Sequence, residues 1–384
     1  MADPAREIIL IGREGYPPYE RPPLSKAVLA GAATVQESYI HPATWYGENG
    51  IALKLSTGVA AIDRATRLLV LEDGTRISYD TLLLTTGARA RTLQIAGAVQ
   101  ANVLYLRDIP DAERLAACLT PDVALAVIGG GFIGLEVAAA ARLLGSTVHV
   151  IEVATEPLGR VVDPAIGRWI AELHRHHGVA VHLGRSVCAI EPQGASQQLL
   201  LDDGTRIVAD IVLAGVGAVP NTELACAAGL EVRDGIITDA EGRTSDPAIR
   251  AAGDCTRHFN PLLGRYVRLE SWENAQNQAI AVARCMANIE HPYAEIPWFW
   301  SEQYDMSLQV LGIAEPGIPL VWRGDPEAGD FVAFSLAAGR IVAATGVNRA
   351  KEMAAVRRIM QRGLAVEPTV LANPATRLTA LAKG

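Results

Sequence analysis

Gly129, Gly131 and Gly134 lie in the run Ala124-Leu-Ala-Val-Ile-Gly-Gly-Gly-Phe-Ile-Gly-Leu-Glu136, a spacing that can hold a pyrophosphate. Gly129 permits a tight turn after an apolar strand, Gly131 lets backbone amides approach the phosphates, and Gly134 lets the following helix pack on the sheet. The helix start adds free N–H groups and the positive end of its dipole. A second apolar strand, Thr147 to Ile151, ends on Glu152. Glu152 follows Gly129 by roughly twenty residues, the interval at which a carboxylate accepts from a ribose diol. Strand, turn, helix, strand and terminal acid together read as a dinucleotide site. A 2′-phosphate beside Glu152 would meet like charge, and Val153, Ala154 and Thr155 supply no cation, so NADH is expected over NADPH.

Other residues could serve a second nucleotide. The strand Glu7 to Ile11 breaks at Gly12 and leads to Glu14, in the position of a second ribose acid. The segment Tyr16-Pro-Pro-Tyr-Glu-Arg-Pro-Pro-Leu-Ser-Lys26 is expected to be extended, with Ser25 capping a helix that starts near Lys26. Arg21 and Lys26, beside Tyr16 and Tyr19, read either as a clamp for an anionic or electron-rich cofactor or as solvated loop charges. Thr85, Thr86 and Gly87 close an apolar strand with small groups suited to backbone contact with a ligand. Gly215 and Gly217 open a loop of the same kind, Gly253 and Asp254 end a short strand, and Glu270, Trp272 and Glu273 precede a helix read as Ala275 to Asn288.

An internal repeat ties the two nucleotide sites together. Leu71-Glu-Asp-Gly-Thr-Arg-Ile77 recurs as Leu201-Asp-Asp-Gly-Thr-Arg-Ile207, each followed by an apolar strand and a glycine. Two related halves explain this better than one shared hairpin. The interval from fingerprint to acid, counted back from Glu14, ends before Met1. The first half is therefore expected to be truncated, without its strand and phosphate-binding helix. Losing those charge-assisted bonds, worth roughly 1.5–3 kcal/mol each, is expected to weaken or abolish flavin-nucleotide binding.

Composition sets outer limits. A chain of 384 residues, half of them hydrophobic, should hold two or three domains. Its net charge of −8 gives no reason to expect nucleic acid. Cys118, Cys188, Cys226, Cys255 and Cys285 form no CxxC pair, which argues against a redox dithiol and against a zinc or iron–sulfur site within the chain. No apolar run reaches membrane-spanning length and no signal-peptide pattern opens the chain, so a cytoplasmic location is expected.

His174, His176 and His177 end a helix-like segment, Asp163 to Gly178, and read as a helix C-terminal cluster rather than a ligand set. Trp298 and Trp300 are read as dividing between the core and a ligand or partner. Residues Leu308 to Leu364 read as a small antiparallel sheet followed by a helix, Lys351 to Arg362. Its Lys351, Arg357, Arg358 and Arg362, with Arg349 before it, suit an acidic protein partner or are simply a solvated face.

The proline-rich run 17–26, Thr-Gly-Ala-Arg at 86–89, the fingerprint 129–136, Ala-Gly-Asp-Cys at 252–255, Glu-Ser-Trp-Glu-Asn-Ala-Gln-Asn-Gln at 270–278 and Pro-Trp-Phe-Trp-Ser-Glu-Gln at 297–303 carry a resemblance. Together they resemble the FAD-dependent NADH:ferredoxin reductases of bacterial oxygenase systems. The resemblance implies an α/β, glutathione-reductase-like fold with two dinucleotide domains and an α+β C-terminal domain. It implies an FAD-type domain over 1–102 and 222–296, an NAD domain over 103–221 and a C-terminal interface domain over 297–384. Lys26, Glu136, Trp272 and Trp300 would be the catalytic group, with Lys26 near the flavin, Trp272 and Trp300 flanking its ring region, and Glu136 near the nicotinamide. The cofactor-binding set implied is Glu14, Arg21, Lys26, Thr86, Gly87, Arg89, Asp254, Glu270, Ser271, Trp272 and Trp300, with Gly129, Gly131, Ile133, Gly134, Glu136, Glu152 and Gly217. Hydride would pass from NADH to FAD, and single electrons from there to an acidic [2Fe–2S] ferredoxin serving a P450 or ring-hydroxylating dioxygenase. The protein would be a monomer or weak homodimer. The alternative is a flavin-free NAD(H)-binding homologue or redox-partner scaffold.

Overall fold

The computed structural model describes residues 7–315 and 317–382. The chain divides into two compact units. One comprises Met1–Arg21, Thr34–Arg89 and Val219–Glu295, the other Pro22–Ala33, Ala90–Ala218 and Ile296–Gly384.

In the first unit, short strands meet as parallel pairs: Ile8–Ile11 with Ile51–Lys54, Leu82–Leu84 with Ile249–Ala251, and Ile236–Thr238 with Thr256–Asn260. Ile236, Ile249, Ala251 and Cys255 are fully buried and gather Ile62, Leu69 and Leu84 around them. Strands covered on both faces need continuous rather than alternating apolar residues, which is how Leu82–Leu84 reads. The helix after the Glu-Ser-Trp run spans Trp272–Met286, starting earlier than Ala275 because the Ser271 hydroxyl accepts the Asn274 N–H at 3.3 Å.

The repeat folds into matching hairpins, one in each unit. Leu68–Leu71 turns into Arg76–Ser78, and Ser196–Leu201 into Arg206–Ala209. Leu71 N–H donates to Thr75 C=O at 2.8 Å, and Leu201 N–H to Thr205 C=O at 2.9 Å. Asp73 and Asp203 each accept from the N–H two residues on, at 2.8 and 2.9 Å, and Gly74 and Gly204 take φ of +84° and +85°. Each hairpin belongs to a three-stranded antiparallel sheet.

The second unit holds a four-stranded parallel sheet in the order Ala180–Leu183, Thr147–Glu152, Ala124–Ile128, Ile211–Ala214. The fingerprint helix Phe132–Leu143 follows the strand Ala124–Ile128, and its buried stretch Val137 to Ala141 is mostly alanine, which allows close packing. The helix Pro164–His176 is capped by Asp163, which accepts the Ala165 N–H at 2.8 Å. A separate five-stranded antiparallel sheet has the order Trp298–Gln303, Met306–Gly312, Arg340–Val347, Asp330–Ala337, Leu320–Asp325. The helix Ala350–Gln361 covers it, burying Met353, Val356 and Ile359 with Val332 and Phe334. Among the described residues, no helix is long and apolar enough to cross a membrane.

Two local expectations are corrected. Pro22–Ser25 forms a single 3-10 turn and residues 26–33 continue as turns, with Lys26 N–H and Val28 N–H both donating to Pro23 C=O, so Ser25 caps no helix. Trp298 and Trp300 do not lie on opposite faces: residues two apart on a strand share a face, and their rings stack at 4.9 Å, although Trp298 packs against the core while Trp300 stands beside Lys26.

Candidate functional site

Glu136 leaves the fingerprint helix two residues after Gly134 and is only 5% exposed. A buried carboxylate must be paired and hydrogen-bonded. Three groups of the same unit do this. Lys26 Nζ lies 2.7 Å from Oε2, the Ser25 hydroxyl donates to Oε2 at 2.5 Å, and the Ser301 hydroxyl donates to Oε1 at 2.7 Å. Lys26 Nζ also stands 5.8 Å from the centre of the Trp300 ring, a cation–π contact. The proline-rich segment and the strand Trp298–Gln303 thus converge on the start of the fingerprint helix.

The fingerprint glycines fall into two kinds. A Cβ on Gly129 would stand 2.4 Å from Gly215 O, and one on Gly134 2.2 Å from Gly129 O, so the fold itself demands glycine there. A Cβ on Gly131 would meet nothing nearer than 3.9 Å, and its φ of −80° suits any residue. The protein leaves space at Gly131 beside helix N–H groups that have no intrahelical acceptor, the donor set a pyrophosphate fits. Glu152 projects from the next strand, accepting the Gly130 N–H at 2.6 Å and the Ala154 N–H at 2.8 Å. Ile133, 40% exposed, lies on the helix start. Gly217, with φ of +105°, follows the strand Ile211–Ala214. NAD(H) fits this constellation.

In the first unit, Glu14 accepts from Arg21 Nη2 at 2.5 Å and from the Tyr19 hydroxyl at 2.5 Å, while Arg21 lies 5.0 Å over the Tyr19 ring. Arg21 and Lys26 therefore engage different carboxylates. Thr86 donates to Asn221 C=O at 2.6 Å, and Arg89 donates to Asn221 Oδ1 at 2.8 Å and pairs with Glu223. These bonds fix the loop that carries Gly87, whose φ is +64°. Gly253, with φ of +82°, donates its N–H to Gln278 Oε1 at 2.8 Å, tying the turn of Asp254 to the helix Trp272–Met286. Glu270 pairs with Arg268, and Ser271 caps that helix. The buried Asn274 Oδ1 receives no hydrogen bond among the described residues, an unfilled acceptor near the helix start that fits a ligand presenting an N–H edge, as a flavin does.

Sequence reasoning missed how the histidines are used. His176 faces outward, with Nδ1 2.8 Å from Glu172 C=O. His177 stacks on Tyr304 at 3.6 Å. His174 is fully buried, with Nε2 2.7 Å from Gln303 Oε1 and Nδ1 3.2 Å from the Tyr304 hydroxyl, and burial lowers its pKa to about 4. Ser301 and Gln303, alternate residues following Trp298 and Phe299, carried the only sequence signal of an inward polar face.

Similarity to known proteins spans nearly the whole chain. The sequence profile of the pyridine nucleotide-disulphide oxidoreductases matches residues 1–279, and that of the reductase C-terminal domain matches residues 298–382. The chain is 44% identical over 374 residues to the anthranilate 1,2-dioxygenase system ferredoxin–NAD(+) reductase component of Burkholderia cepacia, covering 97% of this chain and 92% of that protein. It is 40% identical over 377 residues to putidaredoxin reductase of Pseudomonas putida, covering 97% and 89%. It matches the crystal structure of a covalent putidaredoxin reductase–putidaredoxin complex with a TM-score of 0.94 at 39% identity, covering 98% of this chain and 93% of that one. Relatives of this group bind FAD and NAD(H).

Proposed function

This chain belongs to the pyridine nucleotide-disulphide oxidoreductase family, among the bacterial ferredoxin reductases related to putidaredoxin reductase, and we propose that it uses NADH and FAD to reduce a [2Fe–2S] ferredoxin of an oxygenase system. The observation that carries the reading is the fingerprint helix, with space left at Gly131 and the buried Lys26–Glu136 pair beside it. Glu152 would hold the adenosine ribose and disfavour a 2′-phosphate. Glu136 and Lys26 would fix charge where the nicotinamide end arrives. In the first unit, Glu14, Asp254 and the start of the helix Trp272–Met286 would hold FAD, with Thr86, Arg89 and Glu270 holding the loops around it. When bound, FAD supplies the exchange between a hydride donor and one-electron carriers.

The three-domain division over 1–102 with 222–296, 103–221 and 297–384 is part of this reading, as are cytoplasmic action and a monomeric or weakly dimeric state. Lys351, Arg358 and Arg362 are exposed on the helix Ala350–Gln361 and its end, a positive face that suits an acidic ferredoxin.

An absorption spectrum of the purified chain, with FAD added and then released by denaturation, tests the cofactor. Rapid mixing with NADH then tests the chemistry. A yellow protein that bleaches with NADH and passes electrons to a [2Fe–2S] ferredoxin supports the proposal. A folded, colourless chain that binds NADH would establish the flavin-free reading instead.

A further inference from the structure

A continuous line of hydrogen bonds runs from Glu136 away from the fingerprint, all within one unit. The Ser301 hydroxyl lies 2.7 Å from Glu136 Oε1, Gln303 Nε2 lies 2.9 Å from Ser301 Oγ, His174 Nε2 lies 2.7 Å from Gln303 Oε1, and the Tyr304 hydroxyl lies 3.2 Å from His174 Nδ1. Glu136, Ser301, Gln303 and His174 are at most 5% exposed, so water does not compete for these bonds.

The direction of the line follows from its first member. As the partner of Lys26, Glu136 is a carboxylate and only accepts. Ser301 therefore donates to it and accepts from the Gln303 amide. Gln303 then presents its carbonyl to His174, which must carry its proton on Nε2. Neutral His174 leaves Nδ1 to accept from Tyr304. Every donor points toward Glu136. The strand Trp298–Gln303 presents alternate residues to the helices Phe132–Leu143 and Pro164–His176. Phe299 stacks on Phe132 at 6.2 Å, Ser301 bonds Glu136 and Gln303 bonds His174, so one strand face joins Phe132–Leu143 to Pro164–His176.

We propose that His174 is a positioning residue for the dinucleotide site, acting through Gln303 and Ser301 to hold the Glu136 carboxylate in the orientation that NADH meets. The proposal rests on the functional reading above in one respect, that NADH binds at the fingerprint beside Glu136. Its consequence is that a residue touching no cofactor sets the site's affinity and turnover. A replacement at position 174 should be tolerated only if it donates a hydrogen bond where Nε2 does.

The test compares His174→Phe, which keeps a flat ring and removes the donor, with His174→Gln, whose amide nitrogen can take the place of Nε2. NADH affinity is measured by calorimetry alongside thermal unfolding, and NADH-dependent turnover gives KM and kcat separately. His174→Phe should weaken NADH binding about three- to tenfold, and His174→Gln should restore most of the loss. Ser301→Ala should give a similar loss, and the double variant Ser301→Ala with His174→Phe should be no worse than either alone, because both cut one line. Nitrogen NMR of the wild-type protein should show His174 as the Nε2–H tautomer, a reading that needs no cofactor and no mutant that must fold. A His174→Phe protein that unfolds earlier yet binds NADH as the wild type does would overturn the proposal, as would additive losses or the Nδ1–H tautomer. Wild-type protein that binds no NADH would instead remove the functional reading, and the positioning role with it.

Discussion

Lys26 Nζ and Glu136 Oε2 lie 2.7 Å apart, joining a turn of the proline-rich segment to the first turns of the fingerprint helix. Their side chains are 16% and 4% exposed, so neither charge is fully solvated when the other is removed. Glu136→Gln should destabilise the protein by about 3 kcal/mol, the low end for breaking a buried pair, because it strands the Lys26 ammonium. Adding Lys26→Met should recover more than half of that loss while NADH-dependent turnover stays low. Urea unfolding and steady-state kinetics on the three variants measure both. Equal stability of the single and double variants would count against the pair as the local electrostatic anchor.

The fingerprint glycines predict a separation between folding and binding. Gly134→Ala places a methyl 2.2 Å from Gly129 O and 3.1 Å from a Val127 methyl, so backbone must move and stability should fall by about 2 kcal/mol or more. Gly131→Ala meets nothing nearer than 3.9 Å and should leave unfolding within about 0.5 kcal/mol of wild type. The same methyl occupies the approach of the phosphates and should weaken NADH at least tenfold. Calorimetric titration and thermal unfolding of the two variants decide the matter.

Much of this was legible in the residues, and the reasons differ by element. The strand Ala124–Ile128, the fingerprint helix and Glu152 follow from local pattern alone, as does the repeated hairpin, whose Asp-Gly-Thr turn closes on its own backbone. Ser25 illustrates the opposite case. Its neighbours suggest a cap, but its hydroxyl is taken by Glu136, a residue far away in sequence whose demand for donors cannot be read locally. The stacking of Trp298 on Trp300 required only the two-residue period of a strand. His174 was hidden for a third reason: beside His176 and His177 it looks like one of a set, and only tertiary packing turns it alone inward.

Two buried imidazoles make acid stability a sharp observable. Burial lowers the pKa of both His174 and His258 from 6.5 to about 4, and neither ring nitrogen of His258 has a hydrogen-bond partner among the described residues. The unfolded chain therefore binds protons on these groups that the folded chain refuses. Their contribution is intact above the unfolded value of 6.5 and is lost as pH falls toward about 4. At ~1.4 kcal/mol per pH unit the full effect is about 3 kcal/mol for each ring, of which ~2 kcal/mol should be gone at pH 5. His258 packs edge-on against Tyr293 with ring centres 5.3 Å apart, so His258→Phe should keep that contact while removing the titration. Comparison of urea midpoints at pH 7.5 and 5 should show a clearly smaller acid loss in the variant. An unchanged difference would mean that other groups govern acid unfolding.

Arg323 carries the last prediction, which concerns the end of the chain. Its side chain is 4% exposed and pairs with Glu352 at 2.8 Å. It also donates to the carbonyls of Leu371 at 3.3 Å, Pro374 at 3.2 Å and Thr376 at 2.9 Å, and to that of Asn373. One planar guanidinium thus satisfies a carboxylate and four backbone carbonyls at and after the end of Pro368–Ala372, before Leu378–Leu381 begins. Arg323→Leu removes every one of these donors and should destabilise by about 3–5 kcal/mol. Arg323→Lys keeps the charge but cannot fork, and should recover only part of the loss. Because the lost bonds hold residues 371–376, limited proteolysis should cut that segment first in Arg323→Leu, before the parallel sheet around Ala124–Ile128 is attacked. Simultaneous cleavage of both regions would show that the arginine supports the whole unit rather than its C-terminal turn.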